Sequence, residues 1–142
     1  MDSAKRVMCG TWGEVWLNGE LVSEAYGIQA KVSMNKEDVA ICGQMAKDKK
    51  TTSTSMTGSL KLHKVNSRMA IAVGEDIKAG KDPRFTVISK LDDPDAYGAE
   101  RIALYNVSFD DLTLADWETA TNGKVEAPFT FTGFEYLDRV EV

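Results

Sequence analysis

The chain has 142 residues, a formal net charge of −5, two cysteines and one histidine. A chain of this length forms one domain that buries roughly two thirds of the surface its unfolded form exposes, so we expect a single domain over residues 1–142. The negative charge argues against a protein that holds nucleic acid through its phosphates. Without a CxxC pair, neither a zinc site nor a disulfide framework is predicted, and no apolar run approaches the roughly 20 residues of a membrane-spanning helix.

The charge is unevenly distributed. Residues 1–91 carry 14 Lys/Arg and 10 Asp/Glu, a net of +4, whereas residues 92–142 carry 3 and 12, a net of −9. This asymmetry fits a basic surface on one molecule that meets an acidic surface on the next. Ordinary solvated surface in both halves explains the same count.

The first 22 residues contain the clearest local signal. Residues 1–10 have no periodicity and no apolar signal-peptide core, which predicts a flexible N-terminal arm on a protein made and kept in the cytosol. In GEVWLNGELV, Asn18-Gly19 predicts a type I′ turn that places Trp16 opposite Leu21. Both faces of this hairpin carry apolar side chains, so we expect both to be covered.

A second, longer hairpin is expected after it. The alternation of Ile28–Met34 predicts a half-buried strand, followed by a turn at 35–38, a short strand at 39–42 and a new strand from Gly58. Residues 46–55, AKDKKTTSTS, are polar and are predicted to form a long hairpin loop with a basic tip. Loops of this length are either disordered or used for contact, and the residues do not choose between the two.

One amphipathic helix is predicted between Asn66, which can cap its first turn, and Gly80, which can end it. Its apolar residues recur at helical spacing and are expected to pack on the sheet. These residues are Met69, Ala72, Val73 and Ile77.

The rest of the chain reads as strands. Residues 84–91 are a β-branched run opened by Pro83, and residues 101–108 alternate. Residues 124–137 read as one long strand in which Pro128 requires an edge or a bulge. Leu112, Leu114 and Trp117 are spaced so that a strand and a short helix are equally consistent. At least six strands beside one helix leave sheet edges to be paired, and several copies could close a barrel together.

No catalytic pattern is present. There is no nucleophile with a base, His63 reads as a surface strand residue, and Asp93 begins a calcium-like loop that has Leu104 where the bidentate Glu belongs. We therefore expect no enzyme activity, no cofactor and no metal.

Five stretches resemble a known family. They are GTWGEVWLNGELVSEAYG, NKEDVAICGQM, TGSLKLHKVNSRM, FTVISKLDDPDAYGAERIALYNVSFDDLTLADWE and EAPFTFTGFEYLD, and together they span about Gly10 to Asp138. They are similar to the inner tail tube proteins of contractile phage tails, nearest to those of PBSX-like prophages and R-type, diffocin-like bacteriocin particles.

The resemblance implies a mainly β structural protein with one packed helix and the phage tail tube fold. That fold is an antiparallel sandwich or barrel whose inner sheet joins a multi-subunit barrel in a hexameric ring. Rings stack into a hollow tube that a contractile sheath drives through the target envelope, with baseplate and tail terminator proteins as further partners. DNA would pass through the lumen without specific binding, and assembly would occur in the bacterial cytoplasm before release on lysis.

In this family the long hairpin loop contacts the adjacent ring. The resemblance therefore assigns that contact to one run of residues in this sequence. The run is Lys47, Asp48, Lys49, Lys50, Thr51 and Thr52.

Two other interpretations stay open. A small β-sandwich that binds glycan or peptide would use Trp12, Trp16 and Tyr26 as a stacking platform, although core packing is the favoured explanation of such aromatic residues. A tube component of a related secretion apparatus would share the architecture. Neither a DNA-delivering phage nor a DNA-free bacteriocin is favoured by these residues.

Overall fold

Eight antiparallel strands and a short helical segment make up the fold in the computed structural model, which describes residues 2–141. The strands are β1 (Gly13–Leu17), β2 (Glu20–Leu21), β3 (Ala25–Val39), β4 (Asp48–His63), β5 (Phe85–Leu91), β6 (Glu100–Phe109), β7 (Lys124–Thr130) and β8 (Gly133–Asp138). The helical elements are two single 3₁₀ turns (Ala4–Arg6 and Gly10–Trp12) and a π-helical turn (Ala70–Gly74) that runs into helix α1 (Glu75–Lys78).

The strands form one open sheet in the order β2-β1-β5-β6-β7-β4-β3, and β8 pairs with the first part of β6. Its terminal strands, β2 and β3, do not pair with each other, so the sheet of this chain is not closed into a barrel. The predicted mainly β, antiparallel class is confirmed, and of the two predicted architectures a closed single-chain barrel is excluded.

The sheet folds over on itself at Asn106. This residue has a φ of 57°, a left-handed conformation that Asn tolerates better than most residues. Before it, β6 pairs with β8, and after it, Ser108 and Phe109 pair with β7 instead. The Asn106 amide also donates to the Thr132 hydroxyl at 3.0 Å, which fixes the bend to the β7–β8 connection.

Both halves of the folded sheet face one hydrophobic core. Its most deeply buried large side chains are Leu60, Val87, Val107 and Phe129. Phe109 lies 5.4 Å from Phe85 of β5 and 5.9 Å from Phe129 of β7, ring centre to ring centre, so these aromatic rings link the two halves. Gly58 allows the close approach, because a Cβ there would overlap the Gln29 carbonyl oxygen and come within 2.7 Å of the Phe129 ring.

The first hairpin has the predicted register. Asn18 and Gly19 have φ angles of 49° and 85°, as a type I′ turn requires, and Trp16 lies opposite Leu21. The expectation that both faces are covered is wrong for this chain by itself, since Val15 is buried whereas Leu21 is 47% exposed.

The C-terminal part differs from its prediction. Residues 124–137 are two strands, β7 and β8, because the chain leaves one half of the sheet after Thr130 and joins the other at Gly133. Pro128 is at a locally free edge of β7, as predicted, because β6 pairs only with Phe129 and Thr130. Its carbonyl accepts from Asp110 N at 2.8 Å, so its missing N–H faces the side where the β6 ladder has already ended.

The N-terminal segment folds back onto the loop after β5 and does not project as an arm. The amide of Cys9 donates to the Asp93 carboxylate at 2.9 Å, and the Arg6 guanidinium donates to the Asp95 carbonyl at 3.1 Å. The N-terminal segment is therefore held by hydrogen bonds to residues about ninety positions away in the chain, which no local sequence pattern indicates.

Helical structure runs from residue 68 to 78, inside the predicted 66–80. Asn66 accepts from the Arg68 amide at 3.0 Å, and Gly80 ends the segment with a φ of 73°. Met69 and Val73 are buried, and Ala72 is partly buried against the core. The prediction for Ile77 is wrong: it is 55% exposed, because the last turn extends beyond the core.

Residues 110–123 form neither the strand nor the helix that their spacing allowed. Leu112 packs against the core and lies 3.8 Å from where a Cβ of Gly74 would be. Leu114 and Trp117 remain 84% and 82% exposed. Only the first of the three apolar residues is therefore used in packing this chain.

Candidate assembly surfaces

The distal half of the β3–β4 hairpin projects from the fold. We call residues 33–55 the arm, and every one of them is exposed. Within the arm, β4 pairs only with β3, since its pairing with β7 begins at Thr57. The predicted loop over 46–55 is mostly strand, and the predicted turn at 35–38 is also strand; the actual turn is residues 40–47.

Polar cross-strand pairs hold the arm together. Glu37 lies opposite Lys50, and Asp38 lies opposite Lys49, so unlike charges face each other in the ladder. The Asn35 amide donates to the Ser53 hydroxyl at 3.0 Å. An isolated two-stranded ribbon is only marginally stable in water, so the arm lacks the buried apolar face that stabilises the rest of the sheet.

The residues assigned to an inter-ring contact lie at the end of the arm. Lys47 is in the turn, Asp48 to Thr51 pair with residues 36–39 of β3, and the Thr52 hydroxyl donates to the Asn35 carbonyl at 3.3 Å across a register shift. They form one exposed, largely basic tip.

Two long strand edges have no partner among the strands of residues 2–141. β3 pairs with β4 on one side only, and β8 pairs only with β6. Apolar side chains stand near both edges: Tyr26 and Met34 on β3 are 47% and 60% exposed, and Phe134 and Tyr136 on β8 are 47% and 46% exposed. Unpaired N–H and C=O groups of such edges are templates for another strand.

A hydrogen bond beside the β8 edge links it to β6. The Tyr105 hydroxyl donates to the Glu135 carboxylate at 2.8 Å, and this bond together with the negative charge raises the pKa of Tyr105. Phe134 and Tyr136 stand edge to face at 6.4 Å. The side chains along this edge are thus held by contacts within the chain.

A buried ion pair fixes the helical segment to the hairpins. The Arg68 guanidinium donates to both carboxylate oxygens of Glu24, whose side chain is 5% exposed. This bond, more than any other cause, holds the pKa of Glu24 below its usual range. The Glu24 carbonyl also accepts from the His63 amide at 2.9 Å. Sequence reasoning missed the pair, since no local pattern joins residues 44 positions apart.

The three aromatic residues of the glycan-binding hypothesis do not lie together on one surface. The Tyr26 ring lies 4.6 Å from the His63 ring, while Trp16 is half-buried and Trp12 is exposed. No ring of Trp12 or Trp16 pairs with Tyr26 in the part of the chain that the structure describes. Over the same residues, no cluster of His, Cys, Asp and Glu could hold a metal ion.

Comparison with known proteins decides between these interpretations. The sequence profile of a family described as phage tail tube protein matches residues 2–138. The chain belongs to the phage tail tube protein family. It is 32% identical over 139 residues to the phage-like element PBSX protein XkdM of Bacillus subtilis (strain 168), which covers 96% of this chain and 95% of XkdM.

Solved structures agree with the tail tube fold. The chain superposes with a TM-score of 0.73 on a chain of the sheath-tube complex of PVC, an extracellular contractile injection system, with 8% identity over 94% of this chain and 93% of that one. A chain of the PVC sheath/tube terminator gives a TM-score of 0.72, with 8% identity over 96% of this chain and all, 100%, of the other. The predicted PBSX-like tail tube protein is confirmed.

This tail tube protein is therefore a structural subunit of the phage tail tube and a component of the tail. Within residues 2–141, no helix of the tail tube protein has the length and apolarity needed to cross a membrane.

Proposed function

We propose that copies of this tail tube protein assemble into six-subunit rings and that the rings stack into a rigid hollow tube. The observation that carries the proposal is the free edge of β3, which runs along 15 residues and has a strand partner on one side only. A neighbouring copy that supplies a strand to this edge would satisfy its backbone groups. The free edge of β8 offers the complementary position for the opposite neighbour.

The geometry supports a ring because edge-to-edge pairing uses two different surfaces of one chain. Contacts of this heterologous kind generate closed rings or open helices and not isolated dimers. The sheet of one chain is open, so several chains can close one barrel around a lumen. The arm, with Lys47, Asp48, Lys49, Lys50, Thr51 and Thr52 at its end, would then reach the adjacent ring.

The partners of the tube follow from its place in a contractile machine. The contractile sheath would surround it, a baseplate would nucleate it and a terminator would close it, in a host cytoplasm before lysis. We propose that the protein acts mechanically and has no enzymatic activity. DNA, where the particle carries it, would slide through without specific binding, since a chain with a net charge of −5 repels phosphates.

Electron microscopy of the concentrated protein tests this proposal. We expect rods of uniform diameter with sixfold symmetry in end-on views. Short rings that grow into rods when the concentration increases would support stacking. Two results together would contradict the proposal. The protein would stay a globular monomer at every concentration, and particles recovered from a lysate would contain no tubular array of it.

A further inference from the structure

The segment 110–118 is an exposed surface that the fold of one chain leaves uncovered. Leu114 and Trp117 are 84% and 82% exposed although both are large and apolar. Its sequence, DDLTLADWE, holds four acidic residues and no Lys or Arg. Large exposed apolar side chains rimmed by charge are typical of a protein contact.

The end of the arm has the matching chemistry. Residues 40–50 carry Lys47, Lys49 and Lys50 against a single acid, Asp48. With the opposite strand included, residues 36–50 hold four Lys and three Asp/Glu, a net charge of +1. Beside these charges, Ile41 is 39% exposed and the Met45 side chain is fully exposed. A basic tip with apolar side chains thus complements an acidic surface with apolar side chains.

The two surfaces lie at opposite ends of strand β4. The tip is at Asp48, where β4 begins, and Leu114 lines the same small cavity as His63 and Lys64, where β4 ends. Sixteen strand residues separate the two ends by roughly 50 Å. The arm therefore does not reach the acidic segment of its own chain, and a second copy displaced along the strand direction can bring the two together.

We infer that the tip of the arm, residues 40–50, docks on the segment 110–118 of a neighbouring copy. The contact is heterologous, because the donor and acceptor surfaces differ, so it propagates from copy to copy without closing a dimer. The contact also gives the arm, a two-stranded ribbon with little stability of its own, an apolar surface to pack against. This inference rests on the proposed function, since it needs neighbouring copies in a tube.

Cross-linking of assembled rods tests the contact directly. Cys42 lies exposed in the turn of the arm, so we would remove the other cysteine with Cys9→Ser and introduce Leu114→Cys. A short bis-maleimide should then join Cys42 of one copy to position 114 of the next, and denaturing gels should show a ladder of trimers and larger species. Cys9→Ser alone, with one thiol per chain, can give nothing beyond dimers.

An exposed position outside the segment supplies the matched control. Lys81→Cys in the same background should give no ladder. Rods that form normally but yield no ladder with Leu114→Cys, or an equal ladder with Lys81→Cys, would overturn the inference and leave the proposed function standing. Failure of the unmodified chain to form rods would contradict the proposed function, and this inference would fall with it.

A charge exchange gives an independent test. Reversal of Lys47, Lys49 and Lys50 to Glu, with Glu37 and Asp38 reversed to Lys so that the ladder keeps unlike charges opposite each other, should raise the concentration needed for rod growth by about threefold or more, because the tip changes from a net positive to a net negative charge. Reversal of Asp111, Asp116 and Glu118 to Lys should do the same. The two sets combined should restore most of the growth, whereas additive losses in the combined variant would overturn the inference.

Discussion

The two halves of strand β4 belong to the same hairpin and pair with the same strand, yet they differ in what surrounds them. From Thr57 to His63, β4 lies between β3 and β7, and Leu60 and Leu62 are 1% and 3% exposed in the core. From Asp48 to Ser55, it pairs with β3 alone, and every side chain is exposed. The body of the protein has a buried core of its own, whereas the arm has no buried face within its own chain, and we propose that another copy covers it.

This comparison divides mutations into two classes. Changes in the body should lower the free energy of unfolding of the isolated chain. Changes at the tip of the arm should leave that free energy unchanged and weaken assembly.

The sharpest test of the body is a pair of substitutions in the helical segment. Val73→Asp places a charge without a partner in the core and should lower the free energy of unfolding by about 4 kcal/mol. Ile77→Asp, one turn later on an exposed residue, should change it by less than about 0.5 kcal/mol. Urea denaturation of both variants measures the difference. Equal losses would show that the helical segment packs differently.

Gly58 lies where the body meets the arm. Gly58→Ala forces a Cβ against the Gln29 carbonyl and the Phe129 ring and should cost about 3 kcal/mol through overpacking. Gly10→Ala is the matched control, because no atom lies within 4 Å of its added Cβ. Thermal denaturation should separate the two variants, and a wild-type melting temperature for Gly58→Ala would contradict the packing of β3 and β4 on Phe129.

The Glu24–Arg68 pair makes stability depend on pH. The folded-state pKa of Glu24 lies below the ordinary value of 4.5. The stabilisation that the ion pair gives is therefore present above that pH and is lost as the pH falls through the lowered pKa. Glu24→Gln should cost about 2 kcal/mol at neutral pH, because Arg68 loses its buried charged partner. The cost should shrink below pH 4.5.

A neighbouring carboxylate provides the control for this pair. Glu20 also faces Arg68, at 3.7 Å, but its side chain is 81% exposed. Glu20→Gln should therefore change the unfolding free energy by less than about 0.5 kcal/mol at any pH. Urea titrations at several pH values compare the two, and parallel pH profiles for Glu24→Gln and the wild type would contradict the assigned role.

The arm should show the smallest effect on the isolated chain. Replacement of Lys47, which lies in the turn and outside the β3–β4 ladder, by Glu removes no buried contact and no cross-strand pair, so the unfolding free energy should stay within about 0.5 kcal/mol of the wild type. Thermal denaturation of the monomer measures this. A large loss of stability would mean that the tip packs on its own chain, which contradicts the separation of arm and body.

The body was predictable where local chemistry decides the structure. Asn18-Gly19 permits few turns other than the one observed, and the β-branched run of β5 and the alternation in β6 predict strands to within one residue of their actual ends. Asn66 and Gly80 bracket the helical segment because capping is local. These signals survive because each depends on neighbours in the sequence.

The arm was not predictable in the same way. A strand with one buried face alternates, but Asn35 to Val39 and Asp48 to Ser55 have both faces in water, so their sequences lose the period of two and resemble a turn and a loop. The charges opposite each other, Glu37 with Lys50 and Asp38 with Lys49, were the one available signal.

Long-range features were also hidden. Alternation continues through the connection between β7 and β8, so nothing local marks the change of sheet. Asn106 lies inside a strand pattern, and its left-handed φ of 57° is explained only by a long-range feature, the change of partner of β6 from β8 to β7. Ile77 fits the helical spacing, but the sequence does not indicate where the core beneath the helix ends, so the exposure of Ile77 was not predictable.

Amide hydrogen exchange of residues 33–55, compared between the monomer and assembled rods, tests the central claim most directly. The arm amides should exchange rapidly in the monomer, since only a two-stranded ribbon protects them, and should slow by orders of magnitude in the rods. Rapid exchange of the arm in intact rods, alongside a protected body, would show that neighbouring copies do not complete it.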